Sequence, residues 1–146
     1  MNISKLIIVS IAALVMTTSA EARDDRNKYE IQSLLDSEKA KKALLDVPLY
    51  FAENSPTKFE SNYGEVSTNK KTNAFMKSDL EACEWAMLSA LKALQERAIR
   101  EGMTDVVNIT SNYKNKPFSS PTEFECGSGA VMAGVALKGT LVKIAK

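Results

Sequence analysis

Histidine is absent from all 146 residues. A Ser-His-Asp or Cys-His relay therefore cannot be built, and neither can a zinc centre with imidazole ligands. Cysteine is nearly as scarce. Cys83 and Cys126 are the only two, too few for a four-thiolate metal site and too far apart for the C-x-x-C pair of a thiol oxidoreductase. The phosphate-binding pattern G-x-x-x-x-G-K-[ST] does not occur, and the run from Gly134 to Thr140 has a different order. Gly127-Ser128-Gly129 lacks the third glycine of a dinucleotide-binding turn and is followed by a segment that reads as strand rather than helix. An excess of one charge is also missing. Lys and Arg number 19 against 18 Asp and Glu, for a formal net charge of +1. No basic run stands beside aromatics, so the chain carries no footprint for nucleic acid.

A long apolar run is likewise missing, apart from Leu6 to Met16. At about 11 residues this run is too short for the roughly 20 that span a bilayer as a helix. Lys5 before it and Ala20-Glu21-Ala22 after it make residues 1–22 an expected signal peptide, cut before Arg23. The remaining residues, 23–146, fit one domain that removes roughly two-thirds of its unfolded surface from water. Export to an oxidising, periplasmic compartment makes a Cys83–Cys126 disulfide the expected state, with two separately buried thiols as the alternative. No permanent membrane span and no cofactor are expected.

The centre of the chain is a helix from Ser78 to Gly102. Ser78 with Glu81 is a capping-box pattern, and Gly102 is a natural stop. Leu80, Cys83, Met87, Leu91, Leu94 and Ala98 share one face, with Glu84, Lys92, Glu96 and Arg100 outside it. Asp105 to Ile109 then reads as a buried strand. A second helix is expected from a cap at Ser33, ending at Asp46-Val47-Pro48, with a strand at Leu49 to Phe51. Arg23 to Lys28 reads as a frayed charged tail and Tyr29 to Gln32 as a short strand. Within the polar stretch Lys58 to Asn73 an exposed strand is expected, with Asn62-Tyr63-Gly64 as a turn. Phe124 to Ile144 reads as a bent strand or hairpin, its first half central and covered on both sides. The fold class is therefore α/β (α+β): one long helix and a shorter one on a small mixed sheet.

These stretches carry a resemblance. Thr68 to Phe75, Ala82 to Ala86, Leu94 to Ala98, Val106 to Ile109, Glu125-Cys126 and Met132 to Gly139 resemble a group of small exported bacterial proteins of uncharacterised function. Some members carry the label of an excinuclease ATPase subunit, but the phosphate loop and zinc modules of such an enzyme are missing from this chain. More distantly, Arg97-Ala98, Gly102 and Asp105-Val106-Val107 are similar to the core of YbjQ-like domains and of the lipoprotein that senses envelope stress for the Rcs pathway. The resemblance implies one principal helix on a sheet. For the Rcs-type relative it also implies a disulfide-braced periplasmic domain that works through protein contacts. This chain has no lipid-anchoring cysteine and two cysteines where that relative has four.

Function is then expected to lie in binding rather than catalysis. The polar loop Thr110 to Thr122 is long enough to be functional, and its Tyr113, Lys114, Lys116 and Phe118 are the candidate contacts for an envelope protein partner. Two other readings stand beside this one: a small-molecule or metal-binding carrier, and a hydrolase using paired carboxylates. For the latter, Glu123 and Glu125 point the same way from a strand and read as two solvated side chains on its outer face.

Overall fold

The computed structural model describes residues 23–145. The expected leader, residues 1–22, lies outside the described residues. The domain is a mixed sheet of six strands with three helices.

The last strand organises the sheet. It is β6 (Met132–Lys143), joined to β5 (Glu123–Ser128) as a hairpin, so the expected bend of the second apolar block is a chain reversal. Along one edge of β6 runs β3 (Ser61–Asn73), antiparallel over its whole length. The other edge is shared. β5 pairs near the hairpin turn, through Gly127↔Gly134 and Ser128↔Ala133, and β4 (Asp105–Ser111) pairs further along, from Asp105↔Val142 to Ser111↔Leu137. The sheet therefore forks. β1 (Asp25–Glu30) lies antiparallel on β5, and β2 (Leu49–Phe51) lies parallel on β4. The charged residues expected to fray are thus held in a strand, because β5 offers them an open edge.

The long helix is α3 (Asp79–Arg100), with Ser78 accepting from the Glu81 amide at 3.1 Å and Gly102 at φ +72° closing it. Ala82, Cys83, Ala86, Met87, Leu91, Leu94 and Ala98 are buried against Val135, Leu137 and Leu141. Leu80, expected on this face, is instead 48 % exposed. Gly139 lets the helix approach, since a Cβ there would stand 2.9 Å from Val106 Cγ1 and 3.4 Å from Leu94 Cδ1.

The expected second helix is two short ones, α1 (Ile31–Leu35) and α2 (Glu38–Ala43). Ser37, not Ser33, is the cap that matters. Its hydroxyl donates to the Leu34 carbonyl at 2.6 Å and accepts from the Ala40 amide at 3.2 Å, ending one helix and starting the next. α2 is tied to α3 by a Lys39–Glu84 ion pair. Beyond it, buried Gln95 accepts from the Leu45 amide (2.8 Å) and donates to the carbonyls of Leu45 (2.9 Å) and Val47 (2.8 Å). One helical side chain thus satisfies three backbone groups of a connection that has no ladder of its own. Asn62-Tyr63-Gly64 is a bulge inside β3 rather than a turn, with Gly64 at φ +121°.

Cys83 and Cys126 form a disulfide with Cα atoms 5.8 Å apart, joining α3 to β5. Both residues are fully buried. No helix among the described residues is long and apolar enough to cross a membrane.

Candidate functional site on the open face of the sheet

All three helices pack on one face. The opposite face carries none, yet the first half of β6 is buried on both sides as expected, Ala133 to Leu137 all being shielded from solvent. Register places Glu65, Ser67, Asn69 and Lys71 of β3 there beside Thr140, Lys138, Ala136 and Gly134 of β6, and those four β3 residues are exposed. Arg26 and Lys28 of β1 stand on the same side as Gly127 and Glu125 of β5.

What covers part of this face is the loop after β4. Ser111 and Phe118 close it as an isolated bridge, exchanging two backbone hydrogen bonds of 2.9 Å. The Asn112 amide donates to the Ala136 carbonyl at 2.9 Å, which lays the loop along the fork of the sheet. Lys114 (φ 51°) and Asn115 (φ 59°) turn the chain through the left-handed region. Asparagine tolerates that conformation and lysine does so at a cost. The turn throws the Tyr113 ring back over the sheet.

The ring rests on two glycines paired across the β5–β6 hairpin. A Cβ on Gly127 would fall 2.0 Å from Tyr113 Cζ and Oη, whereas one on Gly134 would keep an ordinary 3.5 Å from Cε2. Gly127 is therefore the floor of the seat. The Tyr113 hydroxyl donates to Asp24 at 3.0 Å, and Lys114 makes an ion pair with the same carboxylate. Arg26 lies over the ring, 5.3 Å from its centroid. Burial, together with the neighbouring Asp24 carboxylate, raises the Tyr113 phenol above its usual range. The hydrogen bond from Lys114, and then that from Tyr113, holds Asp24 below the usual carboxylate range. Further along, Lys28 stands 4.3 Å from the centre of the Phe118 ring.

Three of the four expected contact residues are thus brought to one face. Tyr113 and Lys114 are anchored to it, Phe118 is half-buried beneath Lys28, and Lys116 is exposed at the far side of the turn. Beside the glycine floor, Arg23, Asp24, Lys71, Lys114 and Met132 help to line a cleft of ≈ 590 Å³. Its polar groups are mostly cationic. Lys71 in the cleft and Arg26 over the Tyr113 ring, which no sequence motif marked, are placed by strand register alone.

The Glu123–Glu125 pair needs correction. The two carboxylates share the open face, but Glu125 is 7 % exposed and its Oε2 has no hydrogen-bond partner among the described residues. It is buried rather than solvated, because the loop and its Ser111 anchor stand over β5: the Ser111 hydroxyl accepts from the Glu125 amide at 3.0 Å. Neither carboxylate lines the cleft over the glycines. Among the described residues no group of three or more Cys, Asp or Glu side chains is placed to hold a metal ion. Comparison of the chain with protein-family models, curated proteins and solved structures finds no match.

Proposed function

We propose that this protein is a non-catalytic binding module of the bacterial periplasm, exported by a cleaved leader and working through an envelope protein partner. The observation that carries the reading is the open sheet face. A sheet of this size ordinarily buries both faces or leaves one to solvent as polar side chains. Here the face is neither. It holds an anchored aromatic loop in which Tyr113, Phe118 and Arg26 are of the types enriched at protein contacts, with Lys28, Lys71, Lys114 and Lys116 as a charged rim that would steer an acidic partner. The buried disulfide supports an oxidising compartment. The resemblance to exported proteins, and to a domain that acts through protein contacts, points the same way.

Two experiments test this. Fractionation of cells is expected to place the protein in the periplasm with no titratable thiol, and cytosolic protein with two thiols would refute the address. Pull-down from envelope extracts is expected to capture a partner with the native chain and to lose it with Lys116→Glu/Phe118→Ser. Specific turnover by the purified protein would refute a non-catalytic role. The cleft of ≈ 590 Å³ favours one second reading, a carrier for a small anion. A thermal-shift screen separates the two, since a ligand at a hundred times its dissociation constant adds about 2.7 kcal/mol.

A further inference from the structure

Phe75, Met76, Leu80, Val131 and Met132 are large apolar side chains left 63 %, 90 %, 48 %, 59 % and 46 % exposed. They come from three separate places in the sequence: the β3–α3 connection, the first turn of α3 and the β5–β6 turn. One hydrogen bond joins two of these, the Ala74 amide donating to the Val131 carbonyl at 2.7 Å, and Asn73 pairs with Met132 in the ladder. All five therefore sit at one end of the sheet. Together they expose roughly 500 Å² of surface, at the upper end of what monomers leave open and well short of the roughly 800 Å² per partner in a stable protein interface.

Folding gives no reason for Met76. It is a non-glycine residue at φ 59°, strained and almost wholly in solvent, where glycine or asparagine would close the same turn more cheaply. The surrounding charge is cationic. Lys70, Lys71 and Lys77 are exposed and make no ion pair among the described residues, while the nearby acids Asp25 and Asp79 are both held by Arg23. Arg23 balances only one of those two carboxylates, so with Glu81 in the first turn of α3 two negative charges stand against three lysines, and the tip keeps a small positive excess. The tip is made of two adjoining turns, and its Val131 and Met132 also form the end wall of the cleft beside the glycine floor. Projecting apolar side chains ringed by lysines suit a soft anionic interface, into which they can sink while the ammonium groups stay at headgroup level.

We propose that this tip docks the protein onto the surface of an anionic membrane, without spanning it. The tip adjoins the proposed partner face and shares Lys71 with it, and the two readings are separated by variants at Met76 and Lys77 on one side and Phe118 on the other, each of which belongs to only one of them.

The test uses protein purified from cells, its N-terminus read by mass spectrometry, in co-sedimentation with vesicles of phosphatidylglycerol and phosphatidylcholine. Binding is expected on phosphatidylglycerol-rich vesicles and only weakly on pure phosphatidylcholine. Met76→Gly is the sharpest variant, because it relieves the strained turn and removes the most exposed side chain. It is expected to raise the midpoint of urea unfolding while weakening vesicle binding about tenfold. Lys77→Gln, which lies outside the proposed partner face, should weaken it about fivefold at low salt. Val131→Ser provides a second apolar variant at an independent turn. Absence of binding by the native protein overturns the proposal. So does equal binding to both lipids, or binding unchanged in Met76→Gly and Val131→Ser, which would assign it to another segment such as a retained leader. A native chain that is dimeric in light scattering and becomes monomeric in Met76→Gly would also overturn it, making the tip a protein interface.

Discussion

Substitution of Gly127 by alanine is a direct test of how the Tyr113 loop is held. The added methyl would stand 2.0 Å from the outer atoms of the Tyr113 ring, far inside van der Waals contact, so the ring must leave. Swinging it out sacrifices its packing on the hairpin and its 3.0 Å hydrogen bond to Asp24. A displacement of this kind costs about 1–3 kcal/mol. Alanine in place of glycine within a strand returns about 0.5–1 kcal/mol. A net loss of up to about 2.5 kcal/mol, centred near 1, is therefore expected in the native background. With Tyr113→Ala already present the clash is gone, and Gly127→Ala should be neutral or stabilising. The double-mutant cycle in urea should report a coupling of about 2 kcal/mol between the two positions. Gly134→Ala is the internal control, since its Cβ would meet the same ring at 3.5 Å, and it should change stability by less than about 0.5 kcal/mol. An equal cost for Gly127→Ala with and without Tyr113 would refute the seat. Partner capture should also fall in Gly127→Ala, although the loop sequence is untouched, because Lys114, Lys116 and Phe118 lose the platform that aims them.

Other expectations follow from the same geometry. The Cys83–Cys126 bridge spans a sequence separation of 43, for which chain entropy gives about 4 kcal/mol, so Cys83→Ala/Cys126→Ala should lower urea stability by that order, and a loss below about 1 kcal/mol would contradict the brace. Gln95→Leu leaves three backbone groups of the Leu45–Val47 segment without partners and should cost about 2–4 kcal/mol, with faster exchange of the Leu45 amide as a local readout. The loop's seat should also depend on pH at both ends. The Asp24 carboxyl is lowered in the fold, so its contribution is present above the unfolded carboxylate value and fades as acid protonates it. The Tyr113 phenol is raised, so its contribution is present below about 10 and is lost as pH climbs through the folded value. Burial also raises the Tyr29 phenol, so Tyr113→Phe should shrink the alkaline limb in a urea titration without abolishing it, and an unchanged limb would show that Tyr113 contributes nothing to it.

Much of the architecture was legible because its signals are local. Ser78, the 3.6-residue apolar rhythm and Gly102 specify α3 with little outside help, and the alternation of Val131 to Leu141 assigns the helix-facing side of β6. Two cysteines in a chain without histidine leave few chemistries, and the two do join. Where the reading failed, the deciding partner lay elsewhere in the chain. The tail from Asp25 is a strand because β5 presents a free edge. The helix expected from Ser33 breaks at Ser37, whose hydroxyl ends α1 and caps α2, and the segment after α2 is held by Gln95 of a distant helix. Leu80 fits the apolar rhythm but overhangs the end of the sheet.

Composition and order alone therefore set the principal helix, the alternating central strand and the absence of imidazole chemistry, because each depends on neighbours a few residues away. Only the folded chain decided that Gly127 and Gly134 form one floor under Tyr113, that Arg26 and Lys71 join it, and that Glu125 is buried. These groups are set by strand register, within the β5–β6 hairpin for the two glycines and between segments far apart in the chain for the others. A shift of one residue in that register would send every one of them to the opposite face of the sheet.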